Sequence, residues 1–108
     1  MSETYRAVLR RILDHHAPNP VPAGVVVCLC ASWCGVCRDY RSLFDSIARE
    51  HAGLRFFWID VEDEAELVDD LDVETFPTLL VARGDELVHA GPVLPREGHL
   101  RQLAQRAC

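Results

Sequence analysis

Residues 25–38 read Val-Val-Val-Cys-Leu-Cys-Ala-Ser-Trp-Cys-Gly-Val-Cys-Arg, and this stretch decides the fold. Its first half, residues 25–31, is a continuous apolar run rich in β-branched side chains, which is typical of a central strand covered on both faces. Its second half opens a segment, residues 35–51, in which apolar side chains recur at helical spacing. A buried strand therefore leads into a helix, and two cysteines lie at the junction.

The rest of the chain alternates between helical and strand patterns. In the first part of the chain we predict a helix over 4–16, a proline-containing linker over 17–24 and a strand over 25–31. A strand over 54–61 and a short helix over 62–71 come later. Strands over 78–82 and 86–90, joined by a three-residue connection over 83–85, precede a last helix whose inward side chains are Leu100, Leu103 and Ala107. This order predicts an α/β fold with a mixed sheet, parallel in its first strands and antiparallel at one edge, with helices on both faces.

Composition limits the class of protein. A length of 108 residues with 49% hydrophobic and 26% charged residues is typical of one globular domain, here 1–108 with its active-site core over 25–108. The net charge of -6 and the lack of a basic face argue against nucleic-acid binding. Residues 1–16 do not resemble a secretory signal, and the longest apolar run is too short to cross a bilayer. We therefore expect a cytoplasmic monomer that binds no membrane.

Four of the five cysteines lie within ten residues, at positions 28, 30, 34 and 37. A disulfide framework needs cysteines spread along the chain, so this crowding indicates redox chemistry or metal binding. Zinc or an iron-sulfur cluster is the weaker alternative, because two of the cysteines lie within a strand and two at a helix entry, which strains a tetrahedral site. We predict no metal and no bound cofactor.

Cys34 and Cys37 are the candidate catalytic residues. A thiol at a helix N-terminus faces unpaired backbone N–H groups and the positive end of the helix dipole, which stabilises its thiolate. Cys34 is therefore the predicted nucleophile. Cys37, one turn inside the helix, is the predicted resolving thiol, which attacks a mixed disulfide on Cys34 and releases the reduced substrate. The alternative is that both are small apolar residues that happen to be cysteines.

The sequence resembles the thioredoxin family from about residue 25 to the C-terminus. The resemblance rests on Ala-Ser-Trp-Cys-Gly-Val-Cys-Arg at 31–38, on Phe-Pro-Thr-Leu-Leu at 76–80, and on Asp-Glu-Leu-Val at 85–88 leading to Gly91. It implies a three-layer α/β/α sandwich with a four- to five-stranded sheet. It also implies a thiol-disulfide oxidoreductase that acts on protein disulfides, with Gly35 and Val36 inside the active-site motif, and an external electron donor such as a thioredoxin reductase.

The resemblance implies further site residues. In the family, the proline matching Pro77 is cis and packs against the active-site disulfide, while the backbone of the residue matching Phe76 pairs with the substrate peptide. Trp33 matches a tryptophan that offers apolar contact to the partner, and Gly91 matches a glycine close to the site. The alternatives are a trans turn proline, an aromatic ring that only caps the core, and an ordinary turn glycine.

Several positions depart from the family pattern. Cys28 occupies the place of a buried aspartate that is thought to help move the proton off the resolving thiol. Cys28 and Cys30 share one face of their strand, which should point toward Cys37. They are either small buried hydrophobic residues, or one of them is a third redox thiol. Val36 stands in place of a proline and adds a backbone N–H near Cys34, which predicts a more oxidising couple.

The N-terminal third also departs from the family, because helical periodicity begins almost at Met1. This predicts that the first strand is missing and that the sheet has four strands. For the histidines we expect surface or helix-end roles: His15, His16, His51, His89 and His99. Cys108 is an expected exposed bystander. A second function class, a binding module with the same groove and little turnover, stays open because the buried aspartate is missing.

Overall fold

The computed structural model describes residues 2–16, 23–71, 73–84 and 86–108. Its elements, in chain order, are α1 (Ser2–His16), β1 (Gly24–Cys30), α2 (Gly35–Glu50), β2 (Arg55–Asp60), α3 (Ala65–Val68), β3 (Thr78–Arg83), β4 (Glu86–Pro92) and α4 (Glu97–Arg106). The strands form one sheet in the order β2-β1-β3-β4. Strand β1 runs parallel to β2 and antiparallel to β3, and β4 closes the edge as an antiparallel strand. The predicted mixed α/β sheet is confirmed.

Helices cover both faces of the sheet because β1 alternates its side chains between two apolar clusters. On one face, Val25, Val27 and Leu29 pack with buried residues of α1 and α3. On the other face, Val26, Cys28 and Cys30 pack with buried residues of α2 and α4. All seven residues of β1 are buried, as a continuous apolar run predicts. The three-layer arrangement follows from this alternation.

Helix α2 forms because its apolar side chains recur every three or four residues. Cys37, Tyr40, Phe44 and Ile47 are its buried positions, and its other face carries the charged side chains. Only four residues, 31–34, separate the end of β1 from the start of α2, so the loop that joins them is short. This loop holds Trp33 and Cys34 at the carboxyl end of the central strand, the usual place for chemistry in such sheets.

The N-terminal segment is helical from Ser2, two residues earlier than predicted, and the sheet has four strands among the described residues. The predicted loss of the first strand is therefore confirmed for the part of the chain described. None of the helices in the described ranges has the length and apolar content required to cross a bilayer.

Several predicted boundaries were wrong. The strand predicted over 25–31 is shifted by one residue, so Gly24 belongs to β1 and not to the linker. Glycine is required there, because a Cβ would collide with the Ala107 carbonyl and the Leu54 side chain. The strand predicted over 54–61 is shorter, at Arg55–Asp60. The linker residues 17–22 lie outside the described residues.

The acidic helix predicted over 62–71 shrinks to α3, Ala65–Val68, with turns on both sides. The cause is Asp60, whose carboxylate accepts hydrogen bonds from the backbone N–H groups of Glu62 at 2.8 Å and Asp63 at 3.1 Å. These bonds hold the chain in a turn, and helical bonding starts later.

The connection between β3 and β4 is shorter than predicted. Arg83 pairs with Glu86 in the ladder, which leaves two residues, 84 and 85, between the strands. Gly84 has a φ of +60°, which suits a tight two-residue hairpin. Asp85 lies outside the described residues.

Candidate redox site

Cys34 occupies the N-cap position of α2 and is partly exposed. Its backbone N–H donates to the Ala31 carbonyl at 3.1 Å, and its carbonyl accepts the helical hydrogen bond from Arg38 at 3.2 Å. The backbone N–H groups of residues 35–37 precede that first helical bond, so they have no partner within the helix. Cys34 is a free thiol. It combines access to solvent with a position at the positive end of a helix.

An apolar surface lies beside Cys34. Trp33 is 64% exposed, and its ring meets the Phe76 ring edge-to-face with centroids 5.8 Å apart. Val36, in the first turn of α2, is 44% exposed. Exposed aromatic side chains next to a reactive group are typical of a surface that docks a partner. We call Trp33, Phe76 and the buried Pro77 the candidate docking surface.

Pro77 follows a cis peptide bond from Phe76 and directly precedes β3. Its carbonyl accepts a hydrogen bond from the Val93 N–H at 3.1 Å, and the hydroxyl of Thr78 donates to the Thr75 carbonyl at 2.7 Å. These bonds fix the segment that enters β3.

Gly91 lies in β4 and pairs with Leu79, at the end of the β3–β4 pair where Pro77 leads into β3. Its φ is +147°, a conformation that L side chains rarely adopt. A Cβ at this position would meet nothing within 4 Å. The requirement for glycine therefore comes from the backbone conformation and not from the close approach of another group.

Cys37 is buried in the first turn of α2, and the structure joins it to Cys30 in a disulfide. The two Cα atoms are 5.8 Å apart, and the Ala31 N–H donates to the Cys37 sulfur at 3.4 Å. The predicted couple would join Cys37 to Cys34 instead. In this structure, Cys37, the predicted resolving residue, is bonded to the end of β1, and Cys34, the predicted nucleophile, is a free thiol.

Cys28 lies next to this disulfide. As predicted, Cys28 and Cys30 point from β1 toward α2, and their sulfurs are 3.7 Å apart. We call Cys28, Cys30 and Cys37 the buried sulfur cluster. Each of them is 1% exposed or less. A disulfide within it uses two of the thiolates that a metal would need, which argues against the metal alternative.

The cluster lies in a low-dielectric environment. Burial raises the pKa of the Cys28 thiol well above its ordinary value, and the positive charge of Arg41 opposes that shift. Burial, and to a smaller extent the charge of Cys28, also raises the pKa of the Tyr40 hydroxyl. The Tyr40 hydroxyl is buried and has no hydrogen-bond partner in the described part of the chain. These groups stay neutral at physiological pH.

A cavity of about 510 Å³ opens beside Cys37 on the side of α2 that faces the β2–α3 turn. Its lining mixes two arginines with three carboxylates: Ala31, Ser32, Cys37, Arg38, Arg41, Trp58, Asp60, Asp63 and Glu64. The Arg41 guanidinium lies over the Trp58 ring, 4.8 Å from its centroid. Asp60 also accepts the Ser32 N–H at 3.1 Å, which ties the active-site loop to the end of β2.

Sequence analysis missed Asp60 and Tyr40. Asp60 could have been found, because it lies one residue before the end of the strand predicted over 54–61, which runs parallel to the strand leading into Cys34. Polar groups at the carboxyl ends of neighbouring parallel strands meet. No sequence signal marked Tyr40, because a tyrosine on the apolar stripe of a helix is ordinary until its hydroxyl is shown to lack a partner.

The histidines were expected to have surface or helix-end roles. His51 follows α2, and its ring contacts the Ile47 carbonyl at 3.1 Å. His15 and His16 end α1, and in the described ranges they form with Glu64 a group whose ligand atoms lie within 4.8 Å of one another. His16 contacts Glu64 at 2.5 Å. No sequence pattern indicated this contact, because it depends on the packing of α1 beside α3. Cys108 is exposed, as predicted.

Comparison with known proteins identifies the family to which this arrangement is similar. The sequence model described as Thioredoxin matches residues 19–104. A thioredoxin H-type of Brassica oleracea is 32% identical over 62 residues, which cover 57% of this chain and 50% of that protein. The chloroplastic thioredoxin M3 of Oryza sativa subsp. japonica is 32% identical over 75 residues, covering 68% of this chain and 43% of that protein. The chain thus spans about half the length of these curated relatives.

Solved structures agree at the level of the fold. The thioredoxin of Fasciola hepatica superimposes with a TM-score of 0.74 and 23% identity, covering 93% of this chain and 91% of that one. Identity at that level supports the architecture alone. The three-layer arrangement around a mixed sheet is therefore shared.

Proposed function

The chain belongs to the thioredoxin family, and from that premise we propose that it is a thiol-disulfide oxidoreductase that reduces or exchanges protein disulfides through Cys34 and Cys37. The observation that carries the proposal is the position of Cys34, a partly exposed free thiol at the N-cap of α2, with Cys37 buried in the first turn of the same helix. One thiol is accessible to a substrate, and the other is protected from it.

The proposed reaction has two exchanges. The Cys34 thiolate attacks one sulfur of the substrate disulfide, and the other substrate sulfur leaves as a thiolate, which gives a mixed disulfide on Cys34. The Cys37 thiol then loses its proton and attacks the Cys34 sulfur, which releases the second substrate thiolate and leaves a Cys34–Cys37 disulfide. Two electrons pass from the protein to the substrate. An external dithiol donor, such as a thioredoxin reductase, returns them.

The candidate docking surface would hold the substrate during the first exchange. The exposed Trp33 ring, supported edge-to-face by Phe76, offers apolar contact area to a polypeptide. The backbone at Phe76 and Pro77 is the proposed partner of an extended peptide, as the family pattern implies. Gly91 pairs with Leu79 near the start of β3, and no atom lies within 4 Å of where its Cβ would be, so the space beside it is open to a bound peptide. Docking of this kind selects protein disulfides over small ones.

The proposal includes one domain over 1–108, a monomeric state, a cytoplasmic location and no bound cofactor. All the electrons in the proposed reaction are carried by sulfur, so the chemistry requires no further group. A reducing compartment would keep the partly exposed Cys34 and the exposed Cys108 as thiols. Val36 stands where the family has proline and therefore keeps a backbone N–H in the first turn of α2, which is the basis for the more oxidising couple predicted from sequence.

Insulin reduction driven by dithiothreitol tests the proposal. We expect the wild-type protein to precipitate the insulin B chain far faster than the reagent alone, and Cys34→Ser to reduce the rate to background. Cys108→Ser is the matched control, because it removes an exposed thiol that has no role in the reaction. Equal rates for the wild type and Cys34→Ser would refute the proposed function.

A binding module with little turnover is the second candidate. The observation that favours it is the Cys30–Cys37 disulfide, which leaves Cys34 without a resolving thiol in this structure. In the same assay, a binding module gives background rates for the wild type even after full reduction. When the reduced protein is freed of dithiothreitol and mixed with insulin, a binding module retains insulin as a mixed disulfide on Cys34, which a non-reducing gel detects.

A further inference from the structure

We propose that Cys30 is a second disulfide partner of Cys37, so that the active-site disulfide can move from Cys34–Cys37 at the surface to Cys30–Cys37 in the core. The oxidised protein would then hold its disulfide inside and carry a free Cys34 thiol outside. The inference rests on the proposed function for the source of the first disulfide. It adds a third redox residue and a locked state to that function.

The geometry at the end of β1 supports the pairing. Cys30 is the last residue of β1, and Cys37 lies in the first turn of α2, so the loop between them folds back on itself. The separation of 5.8 Å between their Cα atoms lies within the range that disulfides bridge without backbone movement. The Ala31 N–H contacts the Cys37 sulfur and holds it toward the strand. The structure joins the two sulfurs.

The exchange conserves atoms and electrons. The Cys30 thiol gives its proton to water, its sulfur attacks the Cys37 sulfur, and the Cys34 sulfur leaves as a thiolate. One disulfide is broken and one is formed, so the step needs no additional oxidant. The leaving thiolate at Cys34 sits at the helix N-terminus, where negative charge is stabilised.

Burial protects the moved disulfide from a protein reductase. Cys30 and Cys37 are each 1% exposed, so a protein reductase that reaches Cys34 has no access to them. A substrate disulfide can still react with Cys34, but the resolving thiol is occupied. The mixed disulfide then persists, and the protein changes from a turnover catalyst into a protein that captures one partner.

Cys28 supplies the matched control. It belongs to the same cluster, on the same face of the same strand, with its sulfur 3.7 Å from that of Cys30. It is free in the structure. Cys28→Ala and Cys30→Ala remove the same atom from neighbouring buried positions, so both leave a similar small cavity. A difference between the two variants therefore reports the disulfide and not the packing.

The test maps the pairing by differential alkylation. The proteins are refolded in a glutathione redox buffer, so that disulfides form before the core closes. Free thiols are blocked with N-ethylmaleimide under acid quench, and disulfides are then reduced and labelled with iodoacetamide. Trypsin releases residues 12–38 as one peptide because it contains no internal lysine or arginine, and fragmentation of that peptide assigns the label at each of its four cysteines.

In the wild type, Cys28→Ala and Cys34→Ser, we expect the second label, iodoacetamide, on Cys30 and Cys37, because it marks the cysteines that were joined in a disulfide. In Cys30→Ala we expect it on Cys34 and Cys37. After preoxidation, the lag before insulin reduction begins should be at least twofold longer for the wild type than for Cys30→Ala. The second label on Cys34 and Cys37 alone in the wild type, with none in Cys34→Ser, would overturn the inference.

The two proposals fail in different ways. Insulin reduction by Cys34→Ser at the wild-type rate refutes the proposed function whatever the disulfide map shows. A map without Cys30, together with normal wild-type turnover, refutes only the moved disulfide. Circular dichroism of each variant verifies that a lost disulfide is not a lost fold.

Discussion

Two sets of thiols separated by a few residues have opposite environments in this molecule. Cys34 lies outside the sheet at the tip of a helix, partly exposed and beside an exposed tryptophan. Cys28, Cys30 and Cys37 lie inside, between the central strand and α2. The outer thiol can meet any partner that reaches the surface, whereas the inner sulfurs are buried in the core. Reactivity here is therefore determined by position relative to the core and not by residue type.

The largest expected effect is the difference in native alkylation rate between the two sets. Iodoacetamide should modify Cys34 at least about a thousandfold faster than Cys28, because an opening free energy of about 4 kcal/mol lowers the accessible population of a buried thiol by that factor. Mass spectrometry of timed aliquots at pH 8 provides both rates. Similar rates at the two positions would show that the sulfur cluster is open to solvent.

The pH dependence of stability is a second test of the buried set. Burial raises the pKa of Cys28 in the folded state above its value in the unfolded chain. The contribution of the buried Cys28 thiol to stability is therefore fully present below the pKa that this thiol has in the unfolded chain. Above about pH 9, the free energy of unfolding falls by up to about 1.4 kcal/mol per pH unit. Urea unfolding between pH 8 and 10 measures it, with the disulfide intact.

Cys28→Ala should flatten this alkaline decline while leaving the stability at pH 7 lower by about 1 kcal/mol, the cost of a small cavity. Tyr40, whose pKa is also raised, adds its own loss only above its ordinary value of 10.0. An equally steep decline in the variant would mean that Cys28 ionises as freely in the folded protein as in the unfolded chain.

The smallest expected effect concerns the outer set. Trp33→Ala should raise the KM for insulin about tenfold, equivalent to about 1.4 kcal/mol, because an exposed aromatic anchor is lost. Reaction of Cys34 with a small aromatic disulfide, which has no peptide to dock, should change much less. Equal losses with both substrates would assign Trp33 to the environment of the thiol and not to docking.

Sequence patterns predicted the parts of the molecule that depend on local order. The buried strand, the helix after Gly35 and the shared face of Cys28 and Cys30 all follow from side-chain periodicity along continuous segments. The short α3 and the two-residue hairpin did not follow from periodicity. The first depends on the hydrogen bonds that the Asp60 carboxylate accepts, and the second on the pairing of Arg83 with Glu86. Periodicity contains no information about which groups pair.

The presence of a thiol at a helix N-terminus after a buried strand follows from the order of the residues, since hydrophobic periodicity and the Cys-x-x-Cys spacing are properties of neighbouring residues. The sulfur to which Cys37 is bonded depends instead on how the elements pack. Cys30 and Cys34 lie seven and three residues away along the chain, and spacing alone favours Cys34. The packing of α2 on β1 brings the Cα atoms of Cys30 and Cys37 to within 5.8 Å of each other and buries both sulfurs. The two residues are neighbours because the apolar contacts of the core hold the helix against the strand.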